Sequence, residues 1–298
     1  MIDSTTPLAE LTRINLDDLV SSFGWQNYPS LDGAVRRVFQ RPAHKFAQHM
    51  VELDQAVAEL GLPRGAQQGL YRYVHDVKLF GQANVPVSGP VLFLSNHPGL
   101  TDTLCLFAGI ARPDLQIIAL DRPFLKSLPH VSQHLLYIGD DPAGRISAVK
   151  KVASHLRAGG AVLTFPAGEI EPDPDVYKGA LQSLDHWTNS AAVFVRFAPE
   201  TKIVPVLVRN VLWDMAVKHP LTWFKRDRMD RERLGAALNL LSYMLFDVRP
   251  TTVGVHFARP ITVAEVGSTD AAAIHAVVLE RMRGLLQDPI EEKGVSAL

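Results

Sequence analysis

Val91-Leu92-Phe93-Leu94-Ser95-Asn96-His97-Pro98-Gly99-Leu100-Thr101-Asp102 decides the fold. Its first four residues form a continuous apolar run, the pattern of a strand buried on both faces. Asn96 to Gly99 is polar and broken by Pro and Gly, so the chain turns there. Thr101-Asp102 then precedes an apolar segment, Leu104 to Ile110, as a helix start does. Strand, turn and helix follow in immediate succession, and a histidine and an aspartate flank the turn.

Such a pair suits general-base chemistry. A neutral imidazole takes a proton from a hydroxyl, and a carboxylate fixes its tautomer and stabilises the imidazolium that forms. His97 is therefore the candidate base and Asp102 its orienting partner. Spacing alone does not single them out, because His49 and Asp54 have the same spacing. Those two lie in a helical pattern, where five positions turn the side chains about 500° and leave them roughly 140° apart. A strand-turn-helix passage brings its two residues round to each other. A turn histidine beside a helix-capping aspartate has the same residue types, so the pair needs support from elsewhere in the chain.

The chain has 298 residues, 47% of them hydrophobic, enough for one sizeable core with a small helical addition. A net charge of -1 gives no basic footprint for nucleic acid. The single cysteine, Cys105, excludes an internal disulfide and points to a reducing compartment. It lies on an apolar helix face and reads as packing. There is no G-x-S-x-G elbow, P-loop, H-E-x-x-H or Cys/His metal set. The first residues, Met1-Ile2-Asp3-Ser4, do not read as a signal peptide. No apolar stretch reaches the roughly 20 residues that span a bilayer, so membrane contact is expected to be peripheral, on the cytoplasmic face.

The remaining pattern predicts an α/β fold: a mixed, largely parallel sheet flanked by helices, with an N-terminal helical region over 1–76, a main domain over 77–288 and a loose tail over 289–298. Residues 1–30 carry little signal. Phe46, Met50, Leu53, Val57 and Leu60 recur at helical spacing until Gly61 and Pro63 stop them, and Leu70, Tyr71, Val74 and Val77 predict a further helix. Val77 to Val87 is strand-like with a bend at Gly81. Leu115 to Leu120, Ala161 to Phe165, Ile203 to Val208 and Thr251 to Phe257 read as strands. Arg145 to Ala158, Leu234 to Phe246 and 269–287 read as helices. His97, Glu169 and Arg209 all follow strands, which predicts one shared rim at the carboxyl ends. Pro205 marks a sheet edge or strand end.

Asn96 to Asp102 resembles the N-H-x4-D block of the glycerolipid acyltransferases, the PlsC-type lysophosphatidate and glycerol-3-phosphate acyltransferase superfamily. Phe165-Pro166-Ala167-Gly168-Glu169 resembles that family's F-P-E-G block, and Val204-Pro205-Val206 its V-P-V block. The order is right, and the resemblance spans about residues 77 to 262. It implies transfer of a fatty acyl group from acyl-CoA or acyl-carrier protein to the hydroxyl of a lysophospholipid or glycerol-phosphate acceptor, without a further cofactor. His97 and Asp102 would be catalytic. Phe165, Pro166, Gly168 and Glu169 would bind substrate, together with an arginine for the acceptor phosphate, Arg122 or Arg145. Backbone N–H groups between Gly99 and Asp102 would stabilise the oxyanion.

Two departures stand out. Asp140 and Asp141 precede Arg145, and acids repel a phosphate. Ala167 stands where the family has Glu, so either Glu169 takes over or the acceptor differs. Gly168 fits a tight backbone turn. Trp213 to Phe224 interleaves aromatics with Lys218, Lys225, Arg226 and Arg228, as a lipid boundary would or as a core-packed loop would. Leu234 to Phe246 could wall a groove for an acyl chain. A non-catalytic lipid-binding module and an acyl thioesterase remain the alternatives.

Overall fold

The computed structural model describes residues 7–23, 29–139, 141–225, 227–288 and 293–298. Asp140 and Arg226, both weighed above, lie outside them, as do 1–6, 24–28 and 289–292. Three helices come first: α1 (Pro7–Phe23), α2 (Pro29–Leu60) and α3 (Leu62–Leu70). Then follow β1 (Asp76–Phe80), β2 (Val91–Ser95), α4 (Leu100–Ile110), β3 (Leu115–Leu120), the short α5 (Pro123–Lys126) and α6 (Pro129–Ser132), and β4 (Leu135–Ile138). Next are α7 (Pro142–Arg157), β5 (Ala161–Thr164), α8 (Ala180–Ser183), α9 (Ser190–Phe197) and β6 (Lys202–Arg209). The chain closes with α10 (Asp214–Val217), α11 (Arg228–Phe246), β7 (Thr252–Phe257), α12 (Val263–Val266), α13 (Ala271–Gln287) and β8 (Val295–Ser296).

The strands form one sheet in the order β4-β3-β5-β2-β6-β7-β1-β8. The β4-β3-β5-β2-β6 block is parallel, β7 runs antiparallel to β6, and β1 is parallel to β7. Both faces are covered, which is why β2 is apolar at every core position. Its Val91 and Phe93 join the core under α2, α3, α4 and α11, and its Leu92 and Leu94 join the opposite core under α7, α9 and α13. Each of these side chains contributes about 2 kcal/mol by leaving water. From β2 the chain crosses to β3 in one direction, and from the adjacent β5 it crosses to β6 in the other. Opposed connections from neighbouring strands open a crevice at their carboxyl ends, where ligands bind in such sheets.

Four expectations need correction. The N-terminal stretch is helical from Pro7 to Phe23, with Leu11, Leu19 and Val20 buried. The helix expected over Leu70–Val77 is α3, which ends at Leu70, and Val77 belongs to β1. Pro63 lies in the first turn of α3, where proline starts a helix as readily as it ends one. The described part of the tail, 293–298, is not loose: β8 pairs antiparallel with β1, the Ala297 N–H donates to the Val77 carbonyl at 2.9 Å, and Gln67 Nε2 donates to the Ala297 carbonyl at 3.0 Å. That pairing covers an open strand edge and asks little of side-chain pattern. Finally, Pro205 lies inside β6, a central strand. Ile203 opposes Ile261 while Val206 opposes Phe257, so the register slips by one residue there, and a bulge tolerates the missing donor.

Candidate active site

The carboxyl ends of β5, β2 and β6 lie side by side, and each delivers a block of the site. Asn96 fixes the middle of this row. Its side-chain amide donates to the Val208 carbonyl and accepts from the Val208 N–H, both at 2.8 Å, locking the end of β2 to β6. The chain then turns through His97, Pro98 and Gly99 into α4.

His97 Nδ1 lies 2.8 Å from Asp102 Oδ2. Asp102 is fully buried, and it also accepts from the Gly99 N–H at 3.0 Å and from Thr103 Oγ1 at 2.9 Å. It therefore caps α4 and orients the imidazole with one carboxylate. A carboxylate only accepts, so Nδ1 carries the proton and the lone pair stands on Nε2. Among the described residues nothing hydrogen-bonds Nε2, and the His97 side chain remains 25% exposed. The Phe165 ring stacks on the imidazole at 4.3 Å between centroids. Burial disfavours the His97 cation, but the charge and hydrogen bond of Asp102, with the charge of Glu171, outweigh it and raise the imidazole pKa above its ordinary value.

The two catalytic candidates meet, then, and Phe165 joins them, but as a face for the histidine ring. Pro166 is buried, and its carbonyl accepts from the Thr188 N–H at 3.1 Å. Gly168 has φ +70°, and its N–H closes a turn onto the Phe165 carbonyl at 3.0 Å, the tight turn expected of it. Glu169 is exposed and lies 3.2 Å from His186, on the surface. Arg209 does not share the rim as a free cation: it pairs with Asp175, its Nε 2.9 and 3.0 Å from the two carboxylate oxygens.

A groove of about 1040 Å³ begins at this turn. It is lined by Gly99 and Thr101 of the turn, by Val211 and Leu212, by Leu240, Tyr243 and Met244 of α11, by Leu19 of α1 and by Phe46 of α2. Charged lining residues such as Asp18, Arg122 and Asp230 are exposed. Arg122 thus reaches the groove, with the carboxylate of Asp18 in its field. Arg145 does not line it; that residue is exposed in the first turn of α7, which Asp141 caps by accepting from the Gly144 N–H at 3.0 Å. No cluster of His, Cys, Asp and Glu among the described residues has the form of a metal site.

Residues 76–209 match the model of the family described as Acyltransferase. All three sequence blocks lie inside the match, which agrees with the resemblance to the glycerolipid acyltransferases. No curated protein sequence matches the chain. Among solved structures, the chain is similar to the 1-acyl-sn-glycerophosphate acyltransferase PlsC from Thermotoga maritima, at 14% identity over 93% of this chain and 97% of that one, with a TM-score of 0.45. Within the matched segment, one group escaped the motif reading altogether. Glu171 and Asp173 are buried carboxylates, 3% and 0% exposed, on the loop after the F-P block. The signal for them was present as Glu171-Pro172-Asp173-Pro174-Asp175, where proline holds each preceding acid out of the helical region and an extended chain aims alternate side chains alike.

Proposed function

We propose that this domain transfers a fatty acyl group from a thioester, acyl-CoA or acyl-carrier protein, to the hydroxyl of a lysophospholipid or glycerol-phosphate acceptor. The observation that carries the reading is the His97–Asp102 dyad in a turn whose Gly99 and Thr101 line a large groove walled by apolar residues of α11 and by charged side chains. His97 Nε2 takes the acceptor's hydroxyl proton while the oxygen attacks the thioester carbonyl. The tetrahedral oxyanion collapses, the C–S bond breaks, and the imidazolium returns the proton to the leaving thiolate, giving ester and free thiol. Asp102 stabilises the imidazolium throughout. The Gly99 N–H is engaged by Asp102, so the oxyanion falls to the N–H groups of the following residues in the first turn of α4.

The groove volume suits an extended acyl chain, and ligand pockets of this kind run to about 1,000 Å³. Arg122, at the groove's charged margin, is the better placed of the two arginines for an acceptor phosphate, with a fork that fits its oxygens. Trp223 and Phe224 stand 72% and 83% exposed in a short turn beside Lys218 and Lys225, which fits a peripheral contact with a lipid surface. No helix among the described residues is long and apolar enough to cross a membrane.

The test is a donor-by-acceptor assay on phospholipid vesicles carrying candidate acceptors, with products identified by mass spectrometry. Ester and free thiol formed in equal amounts support the proposal. Free thiol without ester makes the protein a thioesterase, and no product with any pair makes it a lipid-binding module.

A further inference from the structure

The acidic run after the F-P block does more than solvate a surface. Glu171, Asp173 and Asp175 each fasten a different point at the strand ends. Asp173 accepts from the N–H groups of Asn210, Val211 and Leu212 at 2.9, 2.7 and 3.0 Å, holding the loop that lines the groove. Asp175 pairs with Arg209. Glu171 takes His97 itself, through the main chain in both directions. Its N–H donates to the His97 carbonyl at 2.9 Å, and its Oε2 accepts from the His97 N–H at 3.2 Å. Its other oxygen, Oε1, accepts from Trp187 Nε1 at 2.8 Å and Ser183 Oγ at 2.9 Å.

We propose that Glu171 is a positioning residue that holds His97 in register with Asp102. This rests on the dyad being the catalytic base. Among the described residues, Asp102 holds the ring, Asn96 holds the end of β2 to β6, and Glu171 holds the His97 backbone. A histidine displaced by about an ångström loses a large part of its catalytic effect. Glu171 also acts by its charge. Asp102 on α4 and Glu171 on the loop are the charged groups that favour the His97 cation, and burial opposes both.

The experiment is Glu171→Gln. Trp187 Nε1 can only donate to Oε1, so the amide keeps its oxygen there and turns its NH2 against the His97 N–H, breaking the side-chain half of the clamp with little change in volume. The kcat is expected to fall roughly tenfold to a hundredfold with KM little changed. The His97 imidazole, followed by NMR, is expected to titrate at lower pH than in the wild type. That titration needs no acyl transfer, so it reads the clamp even if the proposed reaction is wrong. Asp175→Asn, on the same loop but bound to Arg209, is the control and leaves the His97 titration where it was. Glu171→Asp keeps the charge but is one methylene short of the His97 N–H. Its kcat falls while its titration stays nearer the wild type, and it serves if the Gln variant does not fold. A folded Glu171→Gln protein with an unmoved titration overturns the proposal, and so does wild-type kcat in Glu171→Asp.

Discussion

His97 reaches Asp102 across a turn, whereas His49 and Asp54, at the same spacing within α2, do not meet. His49 Nδ1 lies 3.1 Å from the Tyr73 hydroxyl. Asp54 turns away to the start of α6, where it accepts from the N–H groups of His130 and Val131 at 2.9 and 2.8 Å and lies 2.8 Å from His130 Nδ1. The backbone between the two residues makes the difference, since a helix holds side chains five apart on diverging faces and a strand-turn-helix folds them together. The electrostatics diverge too. Burial first, then the charge of Arg72, lowers the His49 pKa, while the His97 pKa is raised. A histidine–aspartate contact is not itself the mark of the site, because Asp54 and His130 make one at the same distance as the dyad. What the dyad adds is a turn whose Gly99 and Thr101 line the large groove. His49 does border a cavity, but one of about 240 Å³, lined by Glu52, Glu59 and Arg72 and unsuited to an acyl chain.

The widest gap between the two regions is expected from His97→Ala and His49→Ala. The first should lower transfer about a thousandfold or more while the melting transition stays cooperative. The second should leave kcat close to wild type and cost about 1 to 2 kcal/mol of stability, read by denaturant unfolding, because the Tyr73 hydroxyl loses its buried partner. Equal activity in both variants would erase the distinction.

The carboxylates come next. Asp102→Asn should cost about a hundredfold to ten-thousandfold in kcat by releasing the tautomer. Asp54→Asn should cost about 1 to 3 kcal/mol of stability and little activity, since it caps α6. Their pH dependence sharpens the contrast. Transfer needs neutral His97, so the rate falls as pH drops through its raised pKa, above the ordinary imidazole value of 6.5, and Asp102→Asn moves that limb down. For stability the signs oppose. The His97 contribution is fully present below its unfolded pKa and is lost as pH rises through the folded one. The His49 contribution is present above its unfolded pKa and is lost as pH falls through the folded one.

Why one pair was legible and its support was not follows from what each signal required. β2 is a continuous apolar run ending in Pro-Gly, so strand, turn and helix could be read locally, and the α/β order followed. The acids at 171, 173 and 175 carry no local mark of burial, because burial depends on partners elsewhere: His97, Trp187 and the N–H groups of 210–212. Their prolines were the local clue. Glu169 attracted the reading because it sits in the motif block, yet its side chain leaves the site for His186. Pro205 misled in the other direction, since a bulge set by β7 lets proline occupy a central strand.

The smallest effect concerns the aromatic neighbour that each histidine has. Phe165 presents a flat face to His97, with rings 4.3 Å apart and 27° from parallel, and it follows β5 as His97 follows β2. Tyr73 meets His49 edge-on at 5.7 Å and bonds it through the hydroxyl. Phe165→Leu keeps apolar volume and removes only the face that limits ring rotation, so kcat should fall roughly threefold to tenfold with a stability change of about 1 kcal/mol. Tyr73→Phe removes only the hydroxyl, so stability should fall by about 1 kcal/mol with kcat unchanged. Steady-state rates and denaturant midpoints measured on both variants decide the matter: a kcat loss in Tyr73→Phe without one in Phe165→Leu would mean that the functional histidine had been assigned to the wrong region.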